Sequence, residues 1–557
     1  VTAPADDHAR SIAADPDGDL PAVDRDVPDP QDASPYADAV RRYAGQPWQR
    51  LTVPGHQAIP HHNPALTRMF GGHLLALDVA PLVPAVDMPP LVRPRDAIDL
   101  RAGDEAPGPG ARRDEGDSSD DSAGVPGIVP MRQARTLAAQ AWGAADTWFL
   151  TNGASQGNLA ACLALRRLGG SAVVQRNVHS SVVDGLALSG LDAEFLTPGA
   201  DLHLGIAHGL TPAQLDDALR RRPHAIAGYV VSPSYFGAQS DVAGLAEVAH
   251  AHDVPLVVDE AWGAHFGFHP DLPLNAVRSG ADLVISSTHK LAGSLTQSAM
   301  LQLGHGRYAE RLTEPVERAL AMLTSTSASA ILLASLDLAR RDLAVRGREW
   351  IARSLDDAER VRSRIRSLGR FRDPDVALRA HPDVIALDPL RIVVDTRSGG
   401  IGGHLARALL FSRDRVHVEM STDAVIVAVV GAGNGTDADR FVEALHALPS
   451  TPAAVGRTGG LPPTGPRAMG IRAASFAAGE LVAAADAVGR VSCDALAAYP
   501  PGIPNVLPGE ILTEAVLSFL TETAKAPYGH VRGAADPELR TVRVVAGTSA
   551  IAPNRAR

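Results

Sequence analysis

From about residue 130 onward, two hydrophobic periods take turns along the chain. Short runs rich in Val and Ile at 172–174, 225–231, 255–258 and 283–285 are apolar at consecutive positions, as expected of strands buried on both faces of a sheet. Between them, 156–167 and 242–252 repeat their apolar residues at helical spacing, so they read as crossover helices covering that sheet. The alternation predicts an α/β domain with a mostly parallel sheet over 128–340. A long charged helix follows at 340–372, then strand-like runs at 391–394 and 424–430, which together predict a smaller α/β domain over 341–455. The Gly/Pro-rich stretch 456–466 reads as a linker into a last α+β unit within 456–545, followed by a tail at 546–557.

The N-terminal third follows neither period. Residues 1–35 hold nine aspartates, six prolines and two arginines, too little apolar content to offset the entropy of ordering, and they read as a disordered acidic arm. Residues 36–127 form an N-terminal segment whose stretch 101–127 (RAGDEAPGPGARRDEGDSSDDSAGVPG) has the same character and reads as a flexible insertion.

Composition narrows the function classes. The 557 residues are 45% hydrophobic and 21% charged, as in an ordinary globular protein, and the net charge of −11 argues against nucleic acid or an anionic membrane as partner. A small cationic substrate is compatible with that charge. Only Cys162 and Cys493 occur, so neither a disulfide framework nor a metal site is expected, and a reducing cytoplasm fits. The opening VTAPADDHAR lacks the pattern of a secretory signal, and no run reaches the roughly 18 apolar residues of a membrane span.

The candidate chemistry lies just past the apolar runs, where open α/β sheets bind their ligands. Lys290, in Ser286-Ser287-Thr288-His289-Lys290, follows a buried strand; alone it would read as a solvated strand-end lysine. Its neighbours Ser287 and His289 are donors suited to a phosphate, and a desolvated lysine can form an imine with an aldehyde. Asp259 ends another strand, where a carboxylate could keep a pyridine nitrogen protonated or simply cap a turn. Ala261, two residues on, shares its side of an extended chain and would let a flat ring approach. In 151–158, Ala154, Ser155 and Gln156 open a helix that could cradle an anion, although Ser155 could equally be a helix cap. His179 could stack on a planar cofactor and move protons, or serve as a structural hydrogen-bonding residue.

Taken together these segments resemble the Orn/Lys/Arg decarboxylase family of fold-type-I pyridoxal-phosphate (PLP) enzymes. The resemblance rests on PGH at 54–56, TNGAS at 151–155, RNVHSSV at 176–182, SPSYFG at 232–237, VDEAWGAHFGFHP at 258–270, SSTHKLAGSLTQSAM at 286–300 and YPPGIPNVLPGE at 499–510, in the family's order. It implies an aspartate-aminotransferase-like large domain, with the smaller α/β and C-terminal α+β domains behind it. Lys290 would carry PLP as a Schiff base, Asp259 would pair with the pyridinium, and His179 and Ala261 would flank the ring. Ala154, Ser155, Gln156, Ser287 and His289 would hold the phosphate. Thr326 and Ser327, in the TSTS-like segment 324–327, would complete it across a homodimer interface. Glu510 would receive the distal charge of the substrate, with Trp262 shaping the same pocket.

The implied reaction is decarboxylation of arginine, lysine or ornithine to CO2 and the amine, with His179 or Lys290 returning a proton to Cα. Transamination or aldol cleavage would use the same Lys290 and Asp259, and a non-catalytic homologue would have lost them. The chain departs from the family in Ser180 where Lys is usual, in SASA at 327–330, in Trp262 where His is commoner, in the insertion 101–127 and in lacking the N-terminal wing of the long forms.

Overall fold

The structure, a computed structural model, describes residues 29–45, 64–78, 128–201, 203–433, 437–450, 464–499, 503–525 and 529–548. The expected arm at 1–28, the PGH at 54–56, the insertion 101–127, most of the linker and the end of the tail lie outside these residues. No helix among the described residues is long and apolar enough to cross a membrane.

Helices α1 (Pro35–Ala44), α2 (Pro64–Leu77) and α3 (Ile128–Trp142) precede the central sheet. It is built by β1 (Asp146–Leu150), α4 (Gly153–Arg166), β2 (Ser171–Gln175), α5 (Ser180–Ser189), β3 (Asp192–Leu196), α6 (Pro212–Arg221), β4 (Gly228–Val231), α7 (Val242–Ala251), β5 (Leu256–Asp259), β6 (Leu283–Ser286), α8 (Thr288–Leu291), β7 (Ala299–Leu303) and α9 (Ala309–Leu323). The seven strands lie in the order β1-β7-β6-β5-β4-β2-β3. The pairs from β6 across to β3 are parallel, and β7 runs antiparallel to both β6 and β1.

Both faces of this sheet are covered, which explains why its strands are apolar at consecutive positions. Val174, Tyr229, Val257 and Ile285 join one core with residues of α4, α5 and α9, while Val173, Val230, Val258 and Val284 join another with α6 and α7. At Gly157 a Cβ would come within 2.7 Å of the Ile285 side chain, so α4 lies hard against β6 only because this position is glycine.

The charged helix expected at 340–372 is α10 (Ala330–Leu368), which starts earlier because Ser329 caps it by accepting from the Leu332 amide at 3.4 Å. It leads into an antiparallel sheet of β8 (Arg391–Asp395), β9 (Met420–Ser421) and β10 (Val425–Val429), in the order β8-β10-β9, with α11 (Gly403–Ser412) and α12 (Ala438–His446). The C-terminal unit holds β11 (Gly479–Ala483), β12 (Leu496–Tyr499), β13 (Pro504–Val506), α13 (Glu514–Lys525), β14 (His530–Arg532) and β15 (Thr541–Val545). Its strands form two small sheets, β11-β15 and β13-β12-β14, giving the expected α+β character.

One boundary needs correction: the acidic arm does not extend to 35. Residues 29–37 pack on α10, where Asp337 and Arg340 are fully buried. Asp337 accepts from the amides of Tyr36 at 3.0 Å and Ala37 at 3.2 Å, supplying the cap that Ser34 does not give to α1. Arg340 donates to Asp337 at 2.7 Å, to the Gln31 carbonyl at 2.7 Å and to the Ala33 carbonyl. These partners are hundreds of residues apart, so local composition alone misjudges the segment. Asp337→Ala, which strands a buried guanidinium, is expected to cost about 3–5 kcal/mol. An unchanged thermal midpoint would show that the pair contributes nothing.

Candidate active site

An open cavity of about 220 Å³ lies where the carboxyl ends of the parallel strands meet the starts of α4 and α5. Its wall includes Ala154 and Ser155 from α4, His179 before α5, Asp259, Ala261 and Trp262 after β5, and Ser287, His289 and Lys290 after β6. Nine of the expected site residues therefore come together. Gln156, Thr326, Ser327 and Glu510 are not on this wall.

The α4 terminus follows from its sequence. Gly153 adopts φ +70° and its amide donates to the Gln297 carbonyl at 2.7 Å, while Asn152 at the N-cap gives no side-chain hydrogen bond, so the amides of Ala154 and Ser155 are left uncapped among the described residues. Uncapped amides at a helix start form an anion site. Gln156 is buried and turned to another task, accepting from the Asn152 amide at 3.1 Å and donating to Thr324 Oγ1 at 2.8 Å.

Asp259 is 3% exposed, and both of its oxygens are held. Oδ1 accepts from the Ala261 amide at 3.0 Å and Oδ2 from Asn158 Nδ2 at 2.9 Å. Asn158 is oriented in turn by the Tyr229 hydroxyl, which donates to its Oδ1 at 2.8 Å. Neighbouring Glu260 is pushed well above the usual carboxylate range by burial, with the charge of Asp259 adding to the shift against the Ala276 amide.

His179 Nδ1 accepts from the Ser181 amide at 3.3 Å, which leaves Nε2 as the protonated nitrogen of the neutral ring. Burial holds this imidazole below its ordinary pKa, with Asp259 pulling it up and Arg532 and Lys290 pushing it down. Ser180, in the position where lysine was expected from the family, accepts from Arg532 Nη2 at 2.6 Å, so β14 brings a cation to this edge. His289 donates through Nδ1 to the Ser298 carbonyl at 2.7 Å; burial lowers its pKa, partly offset by that bond.

Burial brings the Lys290 ammonium down to about 8, with Asp259 and Glu419 opposing and Arg391 reinforcing the shift. Its Nζ lies 3.8 Å from the centroid of the Trp262 ring, and the Arg391 guanidinium lies at the same distance from that ring. Arg391 is fully buried, its pKa lowered to about 10 by desolvation, and donates to the Tyr235 carbonyl at 2.7 Å. Asn158, Tyr229 and Arg391 were not singled out from the sequence. A signal existed only for Asn158, a polar residue among the apolar positions of α4.

Glu510 is not on the cavity wall of its own chain. It is 6% exposed and pairs with Arg176, whose Nη1 and Nη2 donate to its two oxygens at 2.7 and 2.8 Å, and Oε2 also accepts from the Leu507 amide at 2.9 Å. Arg176 donates further to the carbonyls of Pro504 and Asn505. The carboxylate is spent on the joint between the C-terminal unit and the end of β2 and does not face the cavity of its own chain. Thr326 and Ser327 are exposed in the turn between α9 and α10.

The donor set fits a planar aldehyde carrying a phosphate: a lysine with a lowered pKa, a pinned carboxylate, a small Ala261 and an uncapped helix start. Comparison with known proteins decides the family. Residues 126–388 match Orn/Lys/Arg decarboxylase, major domain, and residues 471–527 match Orn/Lys/Arg decarboxylase, C-terminal domain. The chain is 32% identical over 527 residues to the arginine decarboxylase of Bacillus subtilis (strain 168), covering 94% of this chain and 99% of that one. The chain belongs to the Orn/Lys/Arg decarboxylase family. Another relative of this decarboxylase, the arginine decarboxylase of Halalkalibacterium halodurans, is 31% identical over 94% of this chain and 99% of its own. The solved constitutive lysine decarboxylase of E. coli shares the fold, with a TM-score of 0.72 at 20% identity over 92% of this chain and 82% of that one. The fold-type-I expectation and the decarboxylase expectation are both met.

Two outcomes are expected. In the cofactor-stripped decarboxylase, the rate at which Lys290 captures pyridoxal phosphate should rise with pH around a midpoint near 8, because only the neutral amine attacks an aldehyde. A midpoint near the ordinary 10.5 would show that burial does not act on this amine. Glu510→Ala should destabilise the protein by about 3–5 kcal/mol, since it leaves Arg176 buried without its anion. A thermal midpoint within about a degree of the parent, with a large fall in kcat/KM, would return Glu510 to the substrate.

Proposed function

We propose that this decarboxylase is PLP-dependent and acts on arginine, releasing CO2 and agmatine. The observation that carries the reading is the near full-length identity to relatives named arginine decarboxylase, joined to a cavity whose side chains suit the cofactor. Lys290 would anchor the cofactor aldehyde, and Ser155, Ser287, His289 and the α4 amides would hold its phosphate. His179 and Ala261 would bound the two ring faces. When bound, PLP supplies an electron sink for the pair left behind as CO2 departs.

The protein's contributions follow from the geometry. Asp259, held on both oxygens, can accept a proton-bearing pyridine nitrogen without rearranging, because Asn158 and Ala261 already fix its plane. The lowered pKa of Lys290 leaves both forms present near pH 8, the neutral amine able to attack an aldehyde and the ammonium able to return a proton to Cα. His179 is the second candidate for that proton, since the Ser181 amide assigns its hydrogen to Nε2. One proton is consumed for each CO2 released.

The same reading makes the working unit a homodimer, in which the exposed Thr326 and Ser327 of one copy serve the phosphate site of the other. Incubation of the PLP-loaded enzyme with arginine, lysine or ornithine separately should release CO2 and amine fastest from arginine, by at least about tenfold in kcat/KM. Lys290→Ala should abolish both turnover and the visible absorbance of bound cofactor. A keto acid product, or equal use of lysine, would sink the assignment.

A further inference from the structure

A second cluster of ionisable side chains lies outside the cavity, where the large unit meets the segment leading into β8. His208 follows a short hairpin made by Ala200–Asp201 and Ile206–Ala207. His381 and Asp383 precede the strand Ala386–Leu387, which pairs with Ala238–Gln239 of the large unit. The nitrogen atoms of His208 and His381 and a carboxylate oxygen of Asp383 all lie within 4.8 Å of one another. Asp201 adds a fourth group, its Oδ2 3.7 Å from His381 Nε2.

His208 points to a ligand. Its side chain is 0% exposed, yet neither ring nitrogen has a hydrogen-bond partner. Asp383 Oδ2 stands 3.5 Å from Nδ1, at the limit of hydrogen-bond reach, and that oxygen already accepts from the Gly209 amide at 3.0 Å. The ring lies against His381 at 4.4 Å between centroids, a contact that satisfies neither nitrogen. Burying an imidazole with two unmade hydrogen bonds is costly unless something else engages it. The backbone is arranged to admit the carboxylate, for a Cβ at Gly199 would stand 2.5 Å from Asp383 Oδ2.

We propose that His208, His381 and Asp383, with Asp201 as a fourth ligand, bind a divalent transition-metal ion of the Zn2+ class. Two imidazole nitrogens with one or two carboxylates suit such an ion, whereas Mg2+ and Ca2+ take oxygen ligands. Zinc bonds of about 2.0–2.1 Å require these groups to draw together by roughly an ångström. His381 is 31% exposed at its side chain and has room to do so. The ion would staple the hairpin at 200–207 to the segment entering the small domain. Asn177 donates to the His208 carbonyl at 3.1 Å, so the staple also steadies the loop that carries His179. The role is structural, and the proposal is independent of the substrate assignment.

The test is calorimetric titration of zinc chloride into the PLP-loaded enzyme after chelator treatment and dialysis. One site per chain with a Kd of about 1 μM or tighter is expected, together with a rise in thermal midpoint. His381→Ala, at a partly exposed position, should weaken that site at least about tenfold, as should His208→Gln, while His446→Ala on exposed α12 should leave it unchanged. Absence of a tight site, or an unaltered site in a folded His381→Ala variant, overturns the proposal; retained cofactor absorbance and cooperative melting establish that the variant is folded.

Discussion

Everything at the cavity depends on keeping one carboxylate buried at the end of β5. Asp259 is almost without solvent, and an ionised group there survives only if donors replace the lost water. Two N–H groups do so, one from its own chain two residues on and one from Asn158 on α4. The second reaches it because α4 lies hard against β6 at Gly157, and because Tyr229 on β4 turns the amide the right way. Three elements far apart in sequence thus fix one charge. Burial pushes the neighbouring Glu260 well above the usual carboxylate range.

On the other side of the cavity the same burial acts on cations. Lys290 and Arg391 both lie over the Trp262 indole, whose face offers each of them part of what water would have given. Desolvation lowers the pKa of both, Arg391 adds to that loss at Lys290, and Asp388 and Glu419 oppose it at Arg391. The tryptophan that departs from the commoner histidine of the family is therefore the surface on which Lys290 rests.

Much of this was legible in the order of residues. Lys290, Asp259 and His179 follow directly on apolar runs, and the sheet's topology delivers such positions to one edge whatever the details of packing. Asn158 and Arg391 were hidden because their roles arise from how elements pack together. Asp337 and Arg340 were hidden for the same reason, and with them the ordering of residues 29–35. Glu510 was located by its motif, but nothing local to 508–510 announces its contact with Arg176, which is 334 residues away.

That pair has a meaning for the chain's modularity. The C-terminal unit has its own apolar core around Leu512, Val516 and Leu520 and so looks exchangeable between relatives. Yet Arg176 in the large unit donates to Glu510 and to the carbonyls of Pro504 and Asn505, reading both side chain and backbone of the unit it receives. A hybrid whose imported C-terminal unit lacks an acid in the place of Glu510 leaves the guanidinium buried without its anion. A graft keeps this joint only where residues 176 and 504–510 match one another.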